Sequence, residues 1–185
     1  MKKRERVKGR TAAVLGMVLL ILFSVPTGMG LSLVRERNQV AKCYYGGENT
    51  FGLLEDLAYC SKEAANMVTV GGKYLPADDP LLTDVRSGVN AMEIAERPAE
   101  KAKKYSELTV QVSRLYQALS GMELSEQDRE YCDEIYSNYV TYVDLIGWSD
   151  YNTEAARFNE TLRNAPGRAI AALMGVEELE LFAAE

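Results

Sequence analysis

Between Arg10 and Arg35 the chain carries no charge, so the 24 residues from Thr11 to Val34 stand between basic brackets. As a helix rising ~1.5 Å per residue they would reach roughly 36 Å, enough for a hydrocarbon core of about 30 Å. The most apolar part, "AAVLGMVLLILFSV" (Ala12 to Val25), meets Pro26. Two readings of the segment stay open. In one, a helix continues through Pro26, Gly28 and Gly30 as a retained anchor, since spanning helices tolerate proline and glycine. In the other, it is a signal peptide cut after the small residues Gly28 and Gly30, so that the mature chain starts at Leu31. Charge orients both. Residues 1–10 hold six basic side chains and one acid, whereas the following flank, Arg35, Glu36 and Arg37, is nearly balanced. The positive-inside bias then keeps the N-terminus cytoplasmic and sends the rest across the membrane.

The first ten residues take six of the 21 basic side chains and one of the 27 acids, leaving 15 basic against 26 acidic groups in residues 11–185. A body this acidic repels phosphate backbones, so no nucleic-acid partner is expected. No histidine occurs in the 185 residues. Its absence removes the usual general base near neutral pH, the hydroxyl- or thiol-histidine dyads, and the commonest zinc ligand. Cys43, Cys60 and Cys132 are too scattered for a C-x-x-C element, and sequence leaves their pairing undecided. Neither a catalytic group, a metal site nor a cofactor is expected.

The remainder reads as helix. Tyr105, Leu108, Val112, Leu115, Leu119 and Met122 repeat every seven residues, as a bundle seam does. After a stop at Gly121, Ser125 with Asp128 forms an acidic capping box, and Cys132, Ile135, Tyr139, Tyr142 and Ile146 take up the same steps. The stripe resumes at Tyr151, Ala155, Phe158 and Leu162, which suggests one helix from about Glu126 to Asn164, kinked near Gly147. Asp79 and Pro80 open an earlier helix carrying Leu82, Val85, Val89 and Met92, and Pro98 should bend it or divide it from the next. Leu54, Leu57, Ala64 and Val68 mark another, ending at Gly71-Gly72, while Gly46-Gly47 closes a juxtamembrane piece, Leu33 to Tyr44. The expected fold is all-α: an antiparallel bundle of long helices, an N-terminal transmembrane helix and a short C-terminal capping helix. Its organisation would be 1–10 basic and cytoplasmic, 11–34 spanning (or signal), and 35–185 extracytoplasmic bundle.

Near the end, Pro166 stops the long helix and Gly167 supplies backbone freedom. Ile170, Ala171, Leu173 and Met174 then form a short capping helix closed by Gly175, with Leu179, Leu181 and Phe182 extending the cover. The rival, an amphipathic helix on the membrane surface, has only Arg168 to attract headgroups against Glu177, Glu178 and Glu180, so the cap is expected. Here the chain resembles the LemA family. The resemblance is carried by Tyr151-Asn152, Phe158-Asn159, Pro166, Ala172-Leu173-Met174-Gly175 and Phe182, with "LVRERNQV" and "ANMVTVGGKY" (Asn66 within it) in matching order upstream. The family's tryptophan and paired basic residues are replaced by "CYYGGENTF". The resemblance implies a membrane-anchored, bundle-forming bacterial envelope protein of unestablished biochemistry, and it favours the retained anchor.

Other constellations have plainer explanations. Asp79 beside Asp78 and Asp84 is accounted for as a helix cap, and Glu126, Asp128, Glu130, Asp133 and Glu134 as acids welcomed by a helix N-terminus. Many of the 11 tyrosines fall at half-buried stripe positions. The function expected is non-enzymatic: a single-pass protein of the cell membrane that presents its bundle to an unidentified envelope protein or a second copy of itself. The alternative is a signal-cleaved, secreted module holding a peptide or small ligand in the bundle groove.

Overall fold

The structure, a computed structural model, describes residues 2–48 and 50–183, with side chains from Val14 onward. The basic side chains of residues 1–10 therefore lie outside the described residues. Among the described residues the elements are α1 (Lys2–Tyr45), α2 (Leu53–Gly71), α3 (Pro80–Ile94), α4 (Pro98–Ser120), α5 (Glu126–Gly147), α6 (Tyr151–Arg163) and α7 (Gly167–Met174). There is no strand among them, only an isolated bridge between Gly47 and Thr50. The fold is all-α, as the helical stripes require. Two compact units divide it, Met1–Gln39 with Phe158–Glu178, and Val40–Arg157 with Leu179–Glu185.

In the second unit, α2 packs on α3 and α5, and α4 packs on α3 and α5, closing an antiparallel four-helix ring. Its core is the expected seams. Leu108, Val112, Leu115 and Leu119 on α4 are fully buried, as are Leu82 and Val85 on α3, and Cys132, Ile135 and Tyr139 line α5. On α2 the buried stripe is Leu53, Leu57, Cys60, Ala64 and Met67. It starts one residue before the expected Leu54, because Gly52 opens the helix and turns Leu53 inward. Cys60 and Cys132 carry free thiols, and burial pushes the Cys60 thiol up to about 12. Cys132 touches the Met67 sulfur at 3.4 Å, so both thiols behave as small core hydrophobes.

Local chemistry sets the helix ends. Asp79 Oδ1 accepts the Leu81 N–H at 2.9 Å, with Pro80 in the first turn of α3. Pro98 divides rather than bends: α3 ends at Ile94 and Pro98 opens α4. Ser125 Oγ accepts the Asp128 N–H at 3.1 Å, but the reciprocal half of the capping box is missing. The Ser125 N–H donates instead to the Tyr74 hydroxyl at 3.1 Å. The single kinked helix expected from Glu126 to Asn164 is two helices. Gly147 ends α5, Trp148 donates to the Asp144 carbonyl, and the Ser149 hydroxyl meets the Tyr151 N–H as α6 begins.

Helix α1 runs unbroken through Pro26, Gly28 and Gly30, so the juxtamembrane piece Leu33 to Tyr44 is its own C-terminal third. It is long and apolar enough to cross a membrane, a test that signal sequences also pass. Every residue from Val14 to Met29 except Pro26 is exposed, whereas Gly30, Leu33, Val40 and Tyr44 are buried.

In the first unit, the chain turns at a cis Ala165–Pro166 bond and enters α7. Gly167 answers a different need from the one the sequence suggests. Its φ is not in the left-handed region; rather, a side chain there would run into the Thr161 carbonyl. Gly175 is the left-handed one, at φ 64°, and lets the Val176 N–H reach the Ala171 carbonyl at 3.0 Å in a Schellman closure. Of the capping residues, Ile170 and Ala171 are buried, but Leu173 is 74% exposed and Met174 lies against Gly30 of α1. Arg163 holds Glu178 through two bonds, and Arg37 Nε donates to the Glu177 carbonyl at 3.3 Å. Gly167→Ala should therefore lower stability by about 2 kcal/mol, the usual result of forcing atoms into a filled space. Thermal unfolding in detergent should show a drop of about 4–8 °C.

Candidate functional site

Six of the nine signature residues gather in two places. At the N-terminal turn of α6, Asn152 grips the backbone of Phe182: its Nδ2 donates to the Phe182 carbonyl and its Oδ1 accepts the Phe182 N–H, both at 2.7 Å. Beside it the Tyr151 hydroxyl donates to the Glu180 carbonyl at 2.5 Å. The Tyr151 ring packs on Tyr44 with centroids 5.0 Å apart, and Phe182 faces Tyr44 and Tyr105 at 6.5 and 6.0 Å. Glu180 also receives two bonds from Arg97, at 2.8 and 3.2 Å. Residues 179–183 thus form a strap held to this unit by one amide, one phenol, one ion pair and one buried ring. An asparagine can do this because its side chain carries the donor and acceptor of a peptide group.

Tyr44 is the cost of the arrangement. It is 1% exposed, its hydroxyl makes no hydrogen bond among the described residues, and burial, then Tyr45, Tyr151 and Glu180, drives its pKa up. The ring's apolar contacts must outweigh that orphaned hydroxyl.

Pro166, Leu173 and Gly175 belong to the corner and to α7, where their roles are those just described. Phe158 and Asn159 are buried, at 0% and 5% exposure. Asn66 is half-buried on α2, where its Nδ2 donates to Glu63 at 3.1 Å. It belongs to neither cluster.

An open cleft of about 240 Å³ lies in the bundle unit, lined by Leu54, Leu57, Ala58, Ser61, Met92, Glu93 and Lys101, and another of about 390 Å³ lies between Arg97, Lys103 and Glu180. Lys101 is the residue that sequence reading overlooked. It is 9% exposed, donates from Nζ to the Met92 carbonyl at 2.6 Å, and burial lowers its pKa while Glu93 and Glu100 raise it. A cation in the first turn of α4 opposes that helix's own dipole, which was the available signal that it serves another element. Its ammonium satisfies the Met92 carbonyl in the last turn of α3, a structural duty. Among the described residues no group of three or more Asp, Glu or Cys converges as a metal site would require.

A polar knot sits at the start of α5. Asp128 takes bonds from Lys73 Nζ at 2.5 Å and the Tyr74 hydroxyl at 2.6 Å, with Ser125 close by, and these hold its carboxyl down at about 2. Because the folded-state value lies below the ordinary 3.8, the knot stabilises the fold fully above about pH 4 and is lost as pH falls toward 2. Asp128→Asn should flatten the fall of the urea midpoint between pH 4 and pH 2 relative to the parent chain. An unchanged slope would show that the knot contributes nothing.

Compared with known proteins, the chain matches no family model and no curated protein.

Proposed function

We propose that the chain is a single-pass membrane protein, N-terminus cytoplasmic, that displays its helical bundle on the other side for contact with an envelope protein, as a divergent relative of the LemA family. One observation carries the reading. Helix α1 is a single element, exposed from Val14 to Met29 except at Pro26 yet buried at Leu33, Val40 and Tyr44, so its greasy part lies open while its end belongs to the fold. Retention of the anchor is supported by the same helix. The bonds around Gly28 and Gly30, where a signal peptide would be cut, are helical, and Gly30 is covered by Met174. A non-enzymatic role is supported by the absence of histidine and by signature residues engaged in holding backbone and core. The family reading rests on the ordered signature, whose Tyr151, Asn152 and Phe182 meet in one clamp.

The test is topological. Trp148 is 77% exposed, so Trp148→Cys offers a reactive thiol on the bundle unit. In intact cells a membrane-impermeant maleimide should label it, and the full-length protein should stay in the carbonate-washed membrane fraction. Labelling only after the cytoplasmic side is opened, or a mature chain beginning at Leu31, would overturn the reading.

A further inference from the structure

From the structure we infer that the outer face of α7 lies in the lipid headgroup boundary at the exit of α1, so that the protein meets the membrane through a second, short amphipathic element. The inference rests on the anchor reading above and adds a surface to it. Thr11 to Met29 is the charge-free part of α1 that precedes Gly30. At ~1.5 Å per residue it extends about 28 Å, close to the hydrocarbon thickness of about 30 Å. The next residue, Gly30, is where Met174 lies, with its Cγ, Sδ and Cε all grouped over the glycine. A helix that touches a span at the end of its bare length sits where hydrocarbon gives way to headgroups.

The two faces of α7 fit that position. Ile170 and Ala171 face inward and are buried, while Ala169, Ala172, Leu173 and Met174 are exposed, Leu173 at 74%. A leucine that bare, on a helix whose inner face is already satisfied, is exposed apolar surface, as is Leu31, 49% exposed, next to the Gly30 that Met174 covers. The nearby charges do not repel a headgroup layer. Arg163 pairs with Glu178, and Arg37 donates to the Glu177 backbone carbonyl, so the Glu177 carboxylate stands against the positive charges of Arg37 and of Arg168 on α7. Eight residues would bind a bilayer feebly alone, but α1 holds α7 at the surface, so the contact is intramolecular in effect.

The experiment places tryptophan reporters in the full-length chain, in a Trp148→Phe background, reconstituted into phosphatidylcholine vesicles. Leu173→Trp reports α7, and Leu20→Trp, at an exposed mid-span position, reports the anchor. Lipids brominated high on the acyl chain should quench Leu173→Trp at least twofold more than lipids brominated deep, and Leu20→Trp should show the reverse order. Quenching of Leu20→Trp with none of Leu173→Trp overturns the inference and leaves the anchor standing. In that case a blue-shifted, unquenched emission would mean that a protein, a second copy or another partner, covers Leu173 instead. Absence of quenching in both variants removes the anchor reading and this inference with it.

Discussion

Asn152→Ala is expected to lower stability by about 3 kcal/mol and to release the C-terminal strap. The asparagine makes two bonds of 2.7 Å to one residue, Phe182. Each net bond is worth about 0.5–1.5 kcal/mol, and truncation also leaves the Phe182 amide and carbonyl partly buried without partners, at about 1–3 kcal/mol for a fully unsatisfied group. Phe182 is 8% exposed, so the strap carries apolar area into the site that loosens with it. The Arg97–Glu180 pair does not substitute for the clamp, because its side chains are 75% and 29% exposed and such pairs contribute little. For a chain of this size the loss corresponds to about 6–12 °C in thermal midpoint. Hydrogen exchange at the Phe182 amide should rise to the rate of a free terminus. A shift below about 1 °C with protection retained would show that the Phe182 ring, and not the asparagine, holds the strap.

The clamp also shows where sequence reading stops. Tyr151, Asn152 and Phe182 were legible as a recurring pattern, and Tyr151 as part of a buried stripe. Nothing in one sequence says that an amide on the first turn of α6 and a backbone about thirty residues later bond each other, because such pairing has no period. Helices were legible for the opposite reason. Leu108, Val112, Leu115 and Leu119 repeat with the turn of the helix, so burial of one implies burial of the next. Breaks were half legible. Pro98 announced an end to α3, but Gly147 is compatible with a kink or a stop, and the choice of a stop depends on local bonds made by Trp148 and Ser149. Gly167 was legible as a corner residue yet for the wrong reason, since closeness to the Thr161 carbonyl is a tertiary fact. Lys101 shows the same limit from the charged side: its partner, the Met92 carbonyl, belongs to the preceding helix and carries no residue identity to read.

The largest effect should come from exposed residues of α1. Val18 and Leu22, four apart on α1, are 49% and 61% exposed. If the helix lies in lipid, Val18→Arg with Leu22→Arg puts two charges near mid-span, at about 2.5–3.5 kcal/mol each on insertion scales. Snorkelling toward the headgroups reduces that figure, but two arginines on one face cannot both reach a boundary from the middle without deforming the bilayer. The double variant should therefore leave the carbonate-resistant membrane fraction almost completely. Its fold should survive, because exposed positions away from caps and cores change stability by only about 0.5 kcal/mol. Unfolding in detergent should match the parent chain. The two readouts separate the explanations for an apolar run of this kind. A buried core helix would lose stability with both charges, whereas a span loses only its place in the membrane. An unchanged membrane fraction would mean that something other than α1 holds the protein there.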